Sequence, residues 1–256
     1  MLTIQAIPAF KDNYIWFIQV KGSQKVIIVD PGDAEPVIKA IERQKLTPVA
    51  VLITHGHHDH VGGVDELLKR YDVPVYGSKN ELVPCLTHPL SACENLVIDP
   101  LFPMTKVLDI PGHTQGHIAF LMDGNLFCGD TLFGAGCGRI FSGTATLLFK
   151  ALQTIAQLPK ETLIYCAHEY TENNLRFAAM IEPDNAEIQQ RIKDTAVLRQ
   201  QAKPSIPFTL GLELATNPFM RCEQRSVISS TEKHTGQVLA TPNDIFRALR
   251  IWKDRF

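Results

Sequence analysis

Apolar positions recur in two rhythms along this chain. Short alternating or continuous apolar runs over 2–7, 14–20, 25–30, 49–54, 106–110, 117–123, 125–128 and 162–167 predict strands. Stripes at helical spacing over 34–44, 63–71 and 145–158 predict helices. Asp33 is placed to cap the first of these, with Pro36 in its first turn. Asp123-Gly124-Asn125 lies between two apolar runs and reads as a hairpin turn.

The texture changes after His168. Residues 171–203 read as helices broken at Pro183, and 204–218 as irregular chain. A further helix starts at Thr241, with Pro242 at its first position and Asp244 three residues past the cap. Ile245, Leu249 and Trp252 form its apolar stripe. The pattern therefore predicts a mixed α/β domain over 1–169 and a helical domain over 170–256.

Composition narrows the function classes. The 256 residues are 45% hydrophobic and 20% charged, enough for one large core or two modest ones. A formal charge of -2 argues against a nucleic-acid partner, which calls for a basic excess. No apolar run reaches the ~20 residues that span a bilayer. The first residues alternate like a strand, with no basic segment followed by an apolar stretch, so a cytoplasmic protein is expected. A monomer is the starting expectation. None of the six cysteines falls in Cys-x-x-Cys; reduced thiols are expected, with Cys85–Cys93 the weakly favoured pairing if one forms.

The chemistry gathers at strand ends. Thr54-His55-Gly56-His57-His58-Asp59-His60 follows a β-branched apolar run and holds four of the nine histidines. Imidazoles and a carboxylate at the end of a buried strand are costly unless something coordinates them, and a divalent metal prefers these donors. In an extended segment His55 and His57 project to one side. Asp59 and His60 are expected in the loop beyond, facing a second ion, with His58 turned away. His113 follows a Pro-Gly turn, Asp130 ends the hairpin's second strand, and His168 ends another apolar strand. His55, His57 and His113 would serve one ion and Asp59, His60 and His168 the other. Asp130 would bridge, since a carboxylate has two oxygens. Ions about 3.5–4 Å apart sharing a hydroxide make a hydrolytic centre, with Asp59 orienting the hydroxide. Zinc is the default, with iron or manganese as alternatives. His117, four residues beyond His113, fits a supporting role better than ligation.

These segments carry a resemblance. Thr-His-x-His-x-Asp-His at 54–60, Pro-Gly-His-Thr at 111–114, Gly-Asp-Thr-Leu-Phe at 129–133 and His-Glu-Tyr-Thr at 168–171 are similar to the metallo-β-lactamase superfamily. Gly136-Cys-Gly-Arg139, Asn217-Pro-Phe-Met-Arg221 and Arg250-Ile-Trp-Lys253-Asp-Arg-Phe256 resemble the glyoxalase II, or hydroxyacylglutathione hydrolase, family within it. The resemblance spans nearly the whole chain. It implies an αββα sandwich holding a binuclear site, followed by a C-terminal helical domain. It also implies hydrolysis of S-D-lactoylglutathione to glutathione and D-lactate, the second step of methylglyoxal detoxification. By motif match, glutathione binding falls on Arg139, Tyr170, Arg250 and Lys253, the last two sharing a helix face as a carboxylate clamp. Two departures stand out: Phe141 where some members carry a tyrosine, and Gly56 where a bulkier residue is expected.

Four rival readings remain at this level: a superfamily hydrolase of lactones, β-lactams or other thioesters; a mononuclear iron persulfide dioxygenase; a nuclease; and a non-catalytic metal-binding module. The full ligand set favours two metals over one, and the near-neutral charge disfavours the nuclease.

Overall fold

The computed structural model describes residues 1–83, 85–91 and 95–256. Two compact units divide the chain: Met1–Asp109 with Gln115–Gly129, and Ile110–Thr114 with Asp130–Phe256.

In the first unit, strands β1 (Leu2–Ala9), β2 (Asn13–Val20), β3 (Lys25–Val29), β4 (Thr47–Ile53), β5 (Val75–Ser78) and β6 (His88–Leu90) form one sheet in sequential order. Its pairing is antiparallel up to β3 and parallel from β3 onward. The switch follows from the connections: tight turns join the early strands, while helices α1 (Ala34–Gln44), α2 (His58–Val61) and α3 (Val64–Leu68) carry the chain between later ones. One sheet face, with Ile15, Phe17, Val26, Ile28, Val51 and Ile53, packs on Val37, Ile38 and Ile41 of α1 and on Val64 and Leu67. The alternate residues Trp16, Ile18, Ile27, Val29, Ala50 and Leu52 are buried too, so the central strands are covered on both faces. Strands β7 (Asn95–Leu96), β8 (Thr105–Asp109), β9 (Ile118–Met122) and β10 (Asn125–Gly129) pair antiparallel in a second layer. The predicted hairpin closes between β9 and β10, with Asp123 and Gly124 both at positive φ.

The second unit contains the short hairpin β11 (Leu132–Phe133) and β12 (Gly136–Cys137), helix α4 (Ala145–Ala156), and the antiparallel pair β13 (Leu163–Cys166) and β14 (Phe208–Thr209). Helices α5 (Thr171–Ile181), α6 (Ala186–Gln200), α7 (Leu210–Thr216), α8 (Arg225–Thr235) and α9 (Pro242–Asp254) complete it. Phe177, Phe219, Phe246 and Trp252 interlock edge-on and stacked at ring separations of 5.6–6.0 Å. Thr241 caps α9 as its sequence predicts, accepting the Asp244 amide at 3.2 Å.

Several elements differ from the sequence expectation, beginning with the short strands β5, β6, β7, β11, β12 and β14, which the apolar runs do not predict. Asp59 and His60 lie in the one-turn helix α2 rather than a loop, with His57 as its cap. Part of the stretch read as irregular is helical: Thr209 caps α7, and Asn217 starts the turn Pro218–Met220 by accepting the Phe219 amide. Helix α8 has weak apolar patterning, burying only Val227 and Thr231. The Cys85–Cys93 pairing involves Cys93, which lies outside the described residues; Cys85, Cys128, Cys137, Cys166 and Cys222 are free thiols.

A buried ion pair organises the second unit. Arg191 on α6 meets Glu213 on α7 at 2.5 Å, with both side chains nearly inaccessible. Glu213 also accepts the Ala135 amide and the Asn217 side chain, and Asn217 donates to the Gly136 carbonyl. Burial raises the Glu213 pKa, opposed by the Arg191 charge. Glu213→Ala should lower unfolding stability by about 3–5 kcal/mol, because it strands a buried guanidinium. Replacing both partners with apolar residues should recover part of that loss in urea titrations. A single-variant loss below about 1 kcal/mol would show that the pair holds nothing together.

Candidate metal centre

The first unit holds the ligand-rich segment directly after β4. His55 Nε2 lies 3.0 Å from His57 Nδ1, and their rings meet edge-on. His60 Nε2 lies 3.6 Å from Asp59 Oδ2. Two donors about 2.1 Å from one tetrahedral ion stand about 3.4 Å apart, so both spacings suit a shared cation. His58 is exposed on α2, away from this group. His117 is buried and stacks on His55 at 4.6 Å, with its Nδ1 3.1 Å from the Ile118 carbonyl.

Beneath the segment sits a carboxylate that the sequence reading passed over. Asp30 follows β3 with φ of +51° and is buried. It accepts the Thr54 amide at 2.8 Å, the Thr54 hydroxyl at 2.7 Å and His60 Nδ1 at 2.9 Å. A carboxylate accepts only, so His60 carries its proton on Nδ1 and presents Nε2 to a metal. Asn13, at the start of β2, is also buried and donates to Asp59 Oδ2 at 3.0 Å. Asp30 was detectable: it ends an apolar strand before Pro31-Gly32, the same context that drew attention to His168 and Asp130.

The second unit repeats the logic. His113 Nδ1 lies 2.7 Å from the Arg139 carbonyl, which fixes the proton there and leaves Nε2 as the nitrogen with a lone pair for a metal. That Nε2 lies 3.6 Å from Asp130 Oδ2, while His168 Nε2 lies 3.4 Å from Asp130 Oδ1. Asp130 thus turns one oxygen to each histidine, the disposition a bridging carboxylate needs. Each of the seven expected ligands is a histidine or aspartate able to offer one donor atom to a divalent ion. Imidazole and carboxylate donors suit a divalent ion, and the Asp30 carboxylate and Arg139 carbonyl, which accept from Nδ1 of His60 and of His113, would form its outer shell.

The expected substrate residues split into two places. Tyr170 stacks on His168 at 4.7 Å and 7° between ring planes, with Phe133 edge-on to both. Phe141 is 64% exposed and meets His113 edge-on at 5.1 Å. Arg139, Arg250 and Lys253 gather near Asp254. Arg139 is largely exposed, with Nε 3.8 Å from Asp254 Oδ1. Arg250 is buried, donating from Nη1 to the Cys137 carbonyl at 2.8 Å and from Nη2 to Asp254 Oδ1 at 3.0 Å. Its planar group lies over Phe219. Lys253 Nζ sits over the Phe177 and Phe256 rings. Burial, with the Arg250 and Arg139 charges, lowers the Lys253 pKa to about 8. Burial raises the Cys137 thiol to about 11, so it is a packed group rather than a nucleophile.

Comparison with known proteins follows this geometry. Residues 10–168 match the metallo-beta-lactamase superfamily model, and residues 169–256 match that of the hydroxyacylglutathione hydrolase C-terminus. A curated relative from Nitrosomonas europaea named hydroxyacylglutathione hydrolase is 46% identical over 256 residues, covering 100% of this chain and 97% of its own. One of the same name from Aeromonas hydrophila is 49% identical over 257 residues, covering both chains fully at 100%. Among solved structures, the BLEG-1 B3 metallo-beta-lactamase superposes with a TM-score of 0.66 at 24% identity, covering 85% of this chain and 99% of that one. ETHE1 from Myxococcus xanthus gives 0.66 at 21% identity, covering 99% and 97%. These two structures establish the metallo-β-lactamase fold and nothing about substrate.

Asp30→Ala should leave the Thr54 amide, the Thr54 hydroxyl and His60 Nδ1 without their acceptor. Stability should fall by at least about 2 kcal/mol, and the ¹⁵N shifts of the His60 ring should report a changed tautomer. Unaltered ring shifts would dissociate Asp30 from His60.

Proposed function

The chain belongs to the hydroxyacylglutathione hydrolase family of the metallo-β-lactamase superfamily, and from that premise we propose that it hydrolyses S-D-lactoylglutathione to glutathione and D-lactate. Full-length similarity to relatives bearing that name carries the reading. One divalent ion would be held by His55, His57 and His113 and the other by Asp59, His60 and His168, with Asp130 serving both. Zinc is the first choice, with iron or manganese accepted by the same donors. Support comes from the motif match and from the donor spacings within each unit.

Held by these residues, two divalent ions would supply a water that ionises near neutral pH and positive charge for the thioester carbonyl oxygen. Asp59 accepts a hydrogen bond from the attacking water and so orients it. Asn13 holds that carboxylate through its Oδ2. The leaving sulfur needs little protonation, since a thiol pKa is only about 8.5. Glutathione is an anion overall, and Arg139 and Lys253 offer it positive charge. Arg250 anchors the Cys137–Gly138 backbone from which Arg139 extends, and adds its charge to the same place. Tyr170 lies against the ligand His168 and provides a hydroxyl on that side. Phe141 cannot repeat the hydrogen bond a tyrosine would make.

The enzyme would act as a cytoplasmic monomer in the second step of methylglyoxal detoxification, with a helical domain from 170 to 256 binding glutathione. Among the described residues no helix is long and apolar enough to cross a membrane.

The deciding assay follows loss of thioester absorbance from S-D-lactoylglutathione on protein whose metal content is measured in the same sample. Fast turnover with about two ions per chain is expected; two ions without turnover would void the substrate. Asp130→Ala should lose most bound metal and nearly all activity, and a variant keeping both would remove Asp130 from the centre. Lys253 supplies a pH signature. Its ammonium form binds the carboxylate and predominates below about 8. KM should therefore rise severalfold from pH 7 to 9, while Lys253→Arg flattens the profile because guanidinium keeps its proton. A parent KM constant across that range would take Lys253 out of the binding site.

A further inference from the structure

Glu81 lies beyond β5, outside every motif the sequence offers. Its carboxylate accepts two backbone amides from different loops of the first unit: Gly56 at Oε2 and Gly116 at Oε1, both at 2.9 Å. Gly56 stands between His55 and His57 in the chain. Gly116 precedes His117, whose ring stacks on His55. One side chain therefore reaches the His55–His57 pair by two routes, through Gly56 and through the stacked imidazole.

The approach is possible only because both contacted residues are glycine. A Cβ on Gly56 would meet the Leu82 carbonyl oxygen at 2.9 Å and Glu81 Oε2 at 3.1 Å. A Cβ on Gly116 would meet the Asn80 carbonyl oxygen at 2.6 Å and Glu81 Oε1 at 2.9 Å. Backbone oxygens cannot swing aside as a flexible side chain can. The segment 80–82 is thus wedged against both loops, and the unexpected small residue at 56 has a physical partner.

We propose that Glu81 is a positioning residue for this chain's metal centre, clamping the Gly56 and Gly116 amides so that His55 and His57 present both donors to one ion. The proposal rests on the metal-ligand reading of His55 and His57 above. Two amide donors satisfy the two carboxylate oxygens, and an ionised acceptor makes both bonds strong. Losing such outer support typically costs about 10–100-fold in metal affinity. Glu81 belongs to the first unit and the Arg139–Arg250–Lys253 group to the second, so substrate affinity has no reason to follow.

The test compares the parent with Glu81→Gln and Glu81→Ala. Zinc affinity and zinc release into a chromophoric chelator are measured on each, with KM, kcat and melting of the metal-free protein. Glu81→Ala should bind zinc about 10–100-fold more weakly. Glu81→Gln, which keeps one acceptor oxygen, should fall between it and the parent. KM for the thioester at saturating zinc should stay within about twofold. Parent-like zinc affinity in both variants, or a lower melting temperature with unchanged zinc release, would overturn the clamp while leaving the ligands intact. A parent that binds no divalent ion would instead overturn the ligand assignment, and the clamp with it.

Discussion

A buried carboxylate at the end of β3 sets the terms for the first half of the centre. Asp30 is held away from water, where an ionised group costs several kcal/mol unless donors surround it. It finds three: the Thr54 amide, the Thr54 hydroxyl and His60 Nδ1. The first two pin the end of β4 at the point where the ligand segment begins. The third fixes the ring of His60, a proposed ligand carried on the single turn of α2. Backbone placement and imidazole tautomer are therefore set by a single side chain in a left-handed conformation that L-residues seldom adopt.

The second half uses backbone carbonyls for the same purpose. The Arg139 carbonyl orients His113, and the strand that brings it there is held from two directions. Arg250 gathers the Cys137 and Gly138 carbonyls. Glu213 and Asn217, backed by Arg191, hold the Ala135 amide and the Gly136 carbonyl. Each of these cations or carboxylates is buried and consumed by structure. The Asn217-Pro-Phe-Met-Arg221 motif belongs to this scaffold: Asn217 ties the hairpin, and Arg221 makes a paired contact with Glu182. A motif shared across a family can thus act by shaping the hairpin that leads into Arg139.

Much of this was legible in the chain. The apolar runs placed the long strands and the ends where the proposed ligands sit, because strands buried on both faces have little freedom in composition. Thr241, Pro242 and Asp244 fixed the start of α9 because capping is local chemistry. What escaped were features made by distant pairing. The strand end at Asp30 is visible in the chain, but its pairing with His60, and that of Asn13 with Asp59, appears only in the fold. Glu81 has no neighbouring signal at all, since its partners are two backbone amides 25 and 35 residues away. Helix α8 escaped because it buries little, and α7 because Pro204, Pro207 and Pro218 gave the surrounding stretch the texture of a loop.

The three cations gathered near Asp254 show why sequence spacing alone misjudges a clamp. Arg250 and Lys253 stand three residues apart on α9, which suggests equal partners in binding a carboxylate. Burial makes them unequal. Arg250 is spent on carbonyls and Asp254, contacts it can make without losing charge because guanidinium stays protonated. Lys253 is set among aromatic rings beside two guanidinium groups, where the ammonium form is disfavoured. An arriving carboxylate would relieve that penalty, so the binding energy of Lys253 is largest when the site is filled. Arg139, still exposed, would make the first long-range attraction in the proposed reading. The electrostatic work is graded from an outer steering charge through a conditional one to a buried structural one, and the grading follows from desolvation rather than from residue type.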